Sequence, residues 1–122
     1  MDFRNAIGNC LFDKYADISG RASRSEFWFF YLFNILLSLV VYLVSLLLVI
    51  STGIFEFIYT IYIPAILLLI PGIAVSIRRL HDIGRSGWWL LIGLIPYVGA
   101  IILIVFYCLK SDEKNEYGLK PL

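Results

Sequence analysis

Apolar residues run almost unbroken through three stretches of the chain, 27–50, 54–77 and 88–109, and the charges gather between them. Between Glu26 and Arg78 the only charged residue is Glu56, and between Arg85 and Lys110 there is none. A helix rises 1.5 Å per residue, so about 20 mostly apolar residues cross the hydrocarbon of a bilayer. Each stretch is long enough to do so. All are too long for core strands, and no alternation of apolar and polar positions suggests a barrel. The pattern predicts an all-α integral membrane bundle: three transmembrane helices over 27–50, 54–77 and 88–109, separated at 51–53 ("STG") and by a charged loop over 78–87, with a polar tail over 110–122.

Ahead of the first stretch, Phe3, Ile7, Leu11, Tyr15 and Ile18 recur every three or four residues, and Asp2, Arg4, Asn5, Asn9 and Asp13 fall mostly elsewhere on the wheel. This predicts an amphipathic interfacial helix within residues 1–19, weakened by Gly8. Ser23 and Glu26 have the spacing of a capping box. Together with Arg21 and Arg24 they form the start of the first membrane helix, and Trp28 follows at interfacial depth. Gly20-Arg21 and Gly84-Arg85 each precede a serine, a tryptophan and an apolar run, so two helices start through similar sequences.

Composition supports the bilayer. The 122 residues suffice for one domain, and 61% of them are hydrophobic, against roughly 45–50% in a soluble domain. A mean hydropathy of +0.87 leaves too little polar surface to cover a water-soluble particle of this size. No cleavable signal peptide is expected, because the first apolar run begins late and is too long. Cys10 and Cys108 fit no metal spacing and read as inert free thiols.

Net charge is +1, so the balance implies no nucleic-acid partner, and the placement of charge carries more information. The leader holds Arg4, Lys14, Arg21 and Arg24, and the 78–87 loop holds Arg78, Arg79 and Arg85. With three spans, these seven lie together in the cytoplasm with the N-terminus, and the tail lysines lie outside, as the positive-inside bias favours. Pro96 and Gly99 offer a competing topology, a helical hairpin that returns the tail to the cytoplasm. The expectation favours a kinked third span. Eight residues before the proline make only about 12 Å of helix, and a half-depth hairpin exposes backbone to lipid.

Several polar groups lie inside the apolar runs. Tyr31, Asn34, Ser38, Tyr42 and Ser45 form a stripe on the first helix, expected to face other helices. Pro64 and Pro71 should bend the second, as a packing device. Glu56 is expected in water at the outer interface.

The loop "RRLHDIGRSGWW" concentrates the charge. Asp82 lies within helical reach of Arg78 and Arg79, whereas His81 points about 100° away from its neighbour. Arg78, Arg79, His81, Asp82 and Arg85 form a candidate anionic lipid or ligand site. The loop is read as an anchor on lipid phosphates rather than a vestibule for a solute. No catalytic constellation, metal site or cofactor motif is present in the sequence.

Four blocks, "GRASRSEFWFFYLFN" (20–34), "RRLHDIGRSGWWLL" (78–91), "IPYVGAIILIVFYCLK" (95–110) and "NEYG" (115–118), resemble the bacterial domain-of-unknown-function family 805. The resemblance implies a small multipass protein of the bacterial inner membrane and no particular reaction. Family members often carry glycines ahead of the Asn-x-Tyr-Gly element, and "SDEKNEYG" has none there. The expected role is a structural or interaction protein that binds anionic phospholipid or partner membrane proteins, with self-association into a homo-oligomer. The alternative is a subunit of an oligomeric transporter or channel for a small anionic or amphipathic solute.

Overall fold

The computed structural model describes residues 2–111 and Tyr117, and every regular element among them is helical. The tail expected over 110–122 lies mostly outside the described residues.

The leader does not form one surface helix. Asp2 accepts from the Asn5 N–H and caps a six-residue helix α1 (Phe3–Gly8), which widens into a π-helical turn over Asn9–Asp13. The segment packs against the next helix, with Phe3 edge-on to Phe29 and with Ala6 and Cys10 buried. An apolar stripe this short gains more from helix contact than from lying alone.

Helix α2 spans Arg24–Thr52, about 44 Å at helical rise. The Ser23 hydroxyl accepts the Glu26 N–H at 3.2 Å, the cap the sequence predicts. The reciprocal half of the capping box is missing, because the Glu26 carboxylate is engaged elsewhere. Gly53 ends the helix in the left-handed region (φ 71), returning its N–H to the Val49 carbonyl at 2.9 Å.

The chain then turns back through a 3₁₀ segment (Phe55–Ile61), α3 (Tyr62–Leu67) and α4 (Leu69–Asp82). The irregularity between α3 and α4 falls at Leu68, one turn before Pro71, where the proline ring crowds the preceding turn. Ser45 and Thr60 hydroxyls join the two arms. By length and composition, Arg24–Thr52 and Phe55–Asp82 are each able to cross a membrane.

The third apolar stretch departs from the single kinked helix expected over 88–109. It forms a 3₁₀ segment (Gly87–Leu94) and an α-helix α5 (Val98–Cys108) that run antiparallel. Trp89 meets Phe106 edge-on, and Gly93 lies against Leu103. The reversal is a γ-turn centred on Tyr97 (φ 62, ψ −62), closed by the Val98 N–H on the Pro96 carbonyl at 2.7 Å. Gly99 permits it, since a Cβ there would meet the Ile92 carbonyl oxygen at 1.8 Å. The chain reversal allowed by Pro96 and Gly99 is therefore the observed backbone arrangement. The shortfall in reach that counted against it is reduced by the 3₁₀ rise, about 2.0 Å per residue.

The core lies where α2, α4 and the hairpin converge: Phe27, Phe30, Leu68, Val75, Leu80, Leu103 and Tyr107, with Cys10 and Ala22 from the leader.

Candidate functional site

The start of α2, the end of α4 and the end of α5 meet around a buried set of charges. Arg78, Arg79 and Asp82 are 0% exposed and Glu26 is 2% exposed, which is rare for such residues unless they are paired. The pairing is complete. Arg78 Nη1 donates to Glu26 Oε1 at 2.8 Å, and its Nε donates to the Asp17 carbonyl at 3.1 Å. Asp82 accepts from Arg79 through Oδ2 and from Arg21 Nε through Oδ1 at 3.0 Å. Arg79 also donates to the carbonyls of Ala22, Tyr107 and Leu109. The backbone is stitched as well: the Ala22 N–H donates to the Arg78 carbonyl at 3.0 Å.

Among the described residues, three guanidiniums thus face two carboxylates. Arg79 also lies against the carbonyls at the C-terminal end of α5, where a helix dipole favours a cation. Arg24 adds a bond to the Cys108 carbonyl at 3.4 Å. The short α5 is held at this end by arginines from two other helices.

Glu26 accepts from Asn9 as well as Arg78, and the Cys10 sulfur lies 3.8 Å from the same carboxylate oxygen. Burial, and next the adjacent Glu26 charge, push the Cys10 thiol up to about 12. The thiol is therefore protonated and chemically quiet. Asp17 is shifted the other way: the hydroxyl and then the backbone N–H of Ser19 hold its carboxyl below the ordinary value.

The candidate loop residues consequently separate. Arg78 and Arg79 are closed off from headgroups, which corrects the expectation that they anchor the loop on lipid phosphate. The reason is that acids and carbonyls inside the molecule already satisfy them. Of the two helical pairs expected with Asp82, only that of Arg79 forms, because Arg78 turns to Glu26. His81 does point away from Asp82. Its Nδ1 lies 2.9 Å from the Gly20 carbonyl and so carries the proton, and the ring stacks on Tyr117 at 3.9 Å. Arg85 stays at the edge, its guanidinium carbon 4.6 Å above the Trp89 ring and 4.9 Å from that of Phe106.

The polar stripe on α2 is only partly covered. Ser45 is buried and donates to the Val41 carbonyl at 2.7 Å, and Ser38 donates to Asn34 within the helix. Tyr31 and Tyr42 are about half exposed, at 49% and 46%, so the other helices of the chain cover them only in part. Tyr31 and Asn34 border a crevice of about 320 Å³ between α2, α4 and the hairpin. Glu56 is exposed, and among the described residues no group of His, Cys, Asp and Glu is arranged to hold a metal.

Sequence reasoning placed Arg21 and Glu26 at a helix start and missed their place in the charge cluster. The available signal was scarcity: arginines at 78 and 79 need acids when buried, and Glu56 is the only acid between Glu26 and Asp82. Asn9, Cys10 and the carbonyls of Tyr107 and Leu109 gave no comparable signal.

This arrangement defines an all-helical protein with two helices of membrane-spanning character, clamped at one end by buried ion pairs. The chain belongs to the family described as protein of unknown function DUF805, which matches residues 15–119. Among its relatives, inner membrane protein YhaH of Escherichia coli strain K12 is 42% identical over 112 residues, 88% of each chain. Inner membrane protein YhaI of the same strain is 34% identical over 108 residues, 88% of this chain and 87% of its own. No solved structure matches.

Proposed function

We propose that the chain is a multipass protein of the bacterial inner membrane with its N-terminus in the cytoplasm. In this reading α2 and the Phe55–Asp82 arm cross the bilayer, and the 87–108 hairpin enters and leaves on the cytoplasmic side. Its role is structural and interactive rather than catalytic: it presents its helix surfaces to anionic lipid, to partner membrane proteins or to further copies of itself.

The observation that carries this reading is the consumption of the charges. In a chain so poor in ionisable groups, Arg21, Arg78, Arg79, Glu26 and Asp82 are spent on one another and on carbonyls. Groups committed in this way hold a fold together and are not free to work on a substrate. Meanwhile α2 leaves Tyr31, Leu39, Tyr42 and Leu43 about half exposed, a surface suited to other helices.

The test is the mass of the purified protein in nanodiscs, together with what co-purifies from native membranes. The expected result is a homo-oligomer or a stoichiometric membrane partner. A strict monomer with neither a protein partner nor co-purifying anionic lipid overturns the reading.

A transporter subunit is the second reading, favoured by the crevice between α2, α4 and the hairpin, where Asn34 and Ser76 give polar points in an apolar wall. Solute flux in proteoliposomes that falls in Asn34→Leu supports it over the first.

A further inference from the structure

Arg85 differs from the other arginines of its loop. Arg78 and Arg79 are buried and paired, whereas Arg85 takes part in none of the ion pairs among the described residues. It is nonetheless held in place. The Arg85 N–H is fixed on the Leu80 carbonyl at 2.9 Å, and its guanidinium lies against Trp89 and Phe106. A guanidinium seated on aromatic faces keeps its N–H edge available, and that planar fork matches two phosphate oxygens.

Beside it, Ser86, Trp88, Trp89, Leu91, Ile92 and Ile95 border an apolar groove of about 370 Å³. The groove begins at the loop and ends at the hairpin turn. Eight residues of 3₁₀ helix, Gly87–Leu94, span about 16 Å. That is close to half of the roughly 30 Å hydrocarbon core, the depth of one leaflet. Trp88, 79% exposed, stands on the outer wall at the depth favoured by indole rings.

We propose that this face of the hairpin binds one anionic phospholipid of the inner leaflet, with its phosphate on Arg85 and one acyl chain along Trp88, Leu91 and Ile95. Charge at one end only, and an apolar floor one leaflet deep, fit a lipid better than a peptide, whose backbone would need partners along the groove. A cation with no ion-pair partner among the described residues selects, at the mouth, a net negative headgroup over a zwitterionic one.

The inference rests on the membrane reading above, and one experiment separates the two. The Trp28→Phe protein, leaving Trp88 and Trp89 as its fluorophores, is reconstituted in phosphatidylcholine containing a small fraction of brominated-chain lipid. That lipid is either phosphatidylglycerol or phosphatidylcholine, and tryptophan quenching is measured. The expected result is stronger quenching by the brominated phosphatidylglycerol, corresponding to about fivefold enrichment, the scale of one arginine's attraction to an anionic surface. Arg85→Gln abolishes the difference, and Arg4→Gln, which removes the same charge from the leader, preserves it. Equal quenching by the two lipids in the otherwise native protein overturns the lipid site without calling on any loop variant. So does an equal loss in Arg4→Gln, which would make the effect one of net charge. Quenching by neither lipid defeats the membrane reading and the lipid site together.

Discussion

The Tyr15 hydroxyl donates to the Leu67 carbonyl at 2.9 Å, and Leu67 is the residue whose helical donor would have been the N–H of position 71, where the chain has proline. Proline at that position removes one bond from the ladder and leaves a carbonyl four residues earlier without its partner. In a membrane helix such a freed group is tolerated when a side chain satisfies it. Here the donor comes from the leader, so the bend in one arm and the docking of the N-terminal segment are a single device.

Tyr15→Phe should therefore cost about 1 kcal/mol, the net worth of an ordinary hydrogen bond. In a Pro71→Ala background position 71 regains its N–H, and the same substitution should cost much less. Unfolding in mixed micelles, measured for the four members of the double-mutant cycle, reads the coupling. Equal costs in both backgrounds would show that Tyr15 acts through packing alone.

The Arg78–Glu26 pair makes a sharper prediction. Arg78→Met leaves a carboxylate buried with Asn9 and a thiol as its remaining neighbours, and loss of one partner from a buried pair costs roughly 3–5 kcal/mol. Replacing both, as Arg78→Met with Glu26→Met, removes the stranded charge and should recover part of that loss. Thermal unfolding in detergent ranks the three proteins. A double variant as unstable as the sum of the singles would contradict the pairing.

Much of the architecture was legible in the sequence, and the reasons differ element by element. The helix stop at Gly53 was readable because the left-handed conformation there is a local property of glycine. The bend near Pro71 was readable because the missing N–H is covalent. The hairpin was readable only as an alternative. Pro96 and Gly99 permit reversal, but what secures it is a tertiary contact, Arg79 donating to carbonyls at the far end of α5. The charged loop showed the same limit. Spacing gave both arginines equal access to Asp82, and the choice between them was made by Glu26, 52 positions from Arg78 in the chain. No local rule reports such a partner.

Cys10 predicts a pH dependence. Its thiol lies at about 12 in the folded chain against an ordinary 9.0, so the native state holds the proton more tightly than the unfolded state. The stability this provides is fully present below pH about 9 and is lost as the pH rises from there through about 12. Unfolding midpoints at pH 8 and pH 10.5 should fall further for the native protein than for Cys10→Ala. At pH 8 a maleimide should modify the exposed Cys108 and spare Cys10. Parallel pH profiles for the two proteins would remove Cys10 from the account.

The hairpin makes the most direct prediction about topology. Arg79 bonds carbonyls on both sides of Cys108, and Arg24 bonds that of Cys108 itself, so the end of α5 lies on the face from which α2 starts. With the N-terminus in the cytoplasm, as proposed above, a fluorescent protein fused after Leu122 should fluoresce, since it matures in the cytoplasm, and alkaline phosphatase at the same site should be silent. Reporters inserted after Gly53, at the opposite end of α2, should give the reverse pair. A continuous third span would place the C-terminal fusion with the Gly53 insertion. Arg79→Ala removes the donors that draw α5 back, so a mixed reporter signal is expected from that variant alone. An unmixed signal there would mean that the γ-turn at Tyr97 suffices to set the direction of the chain without the arginine.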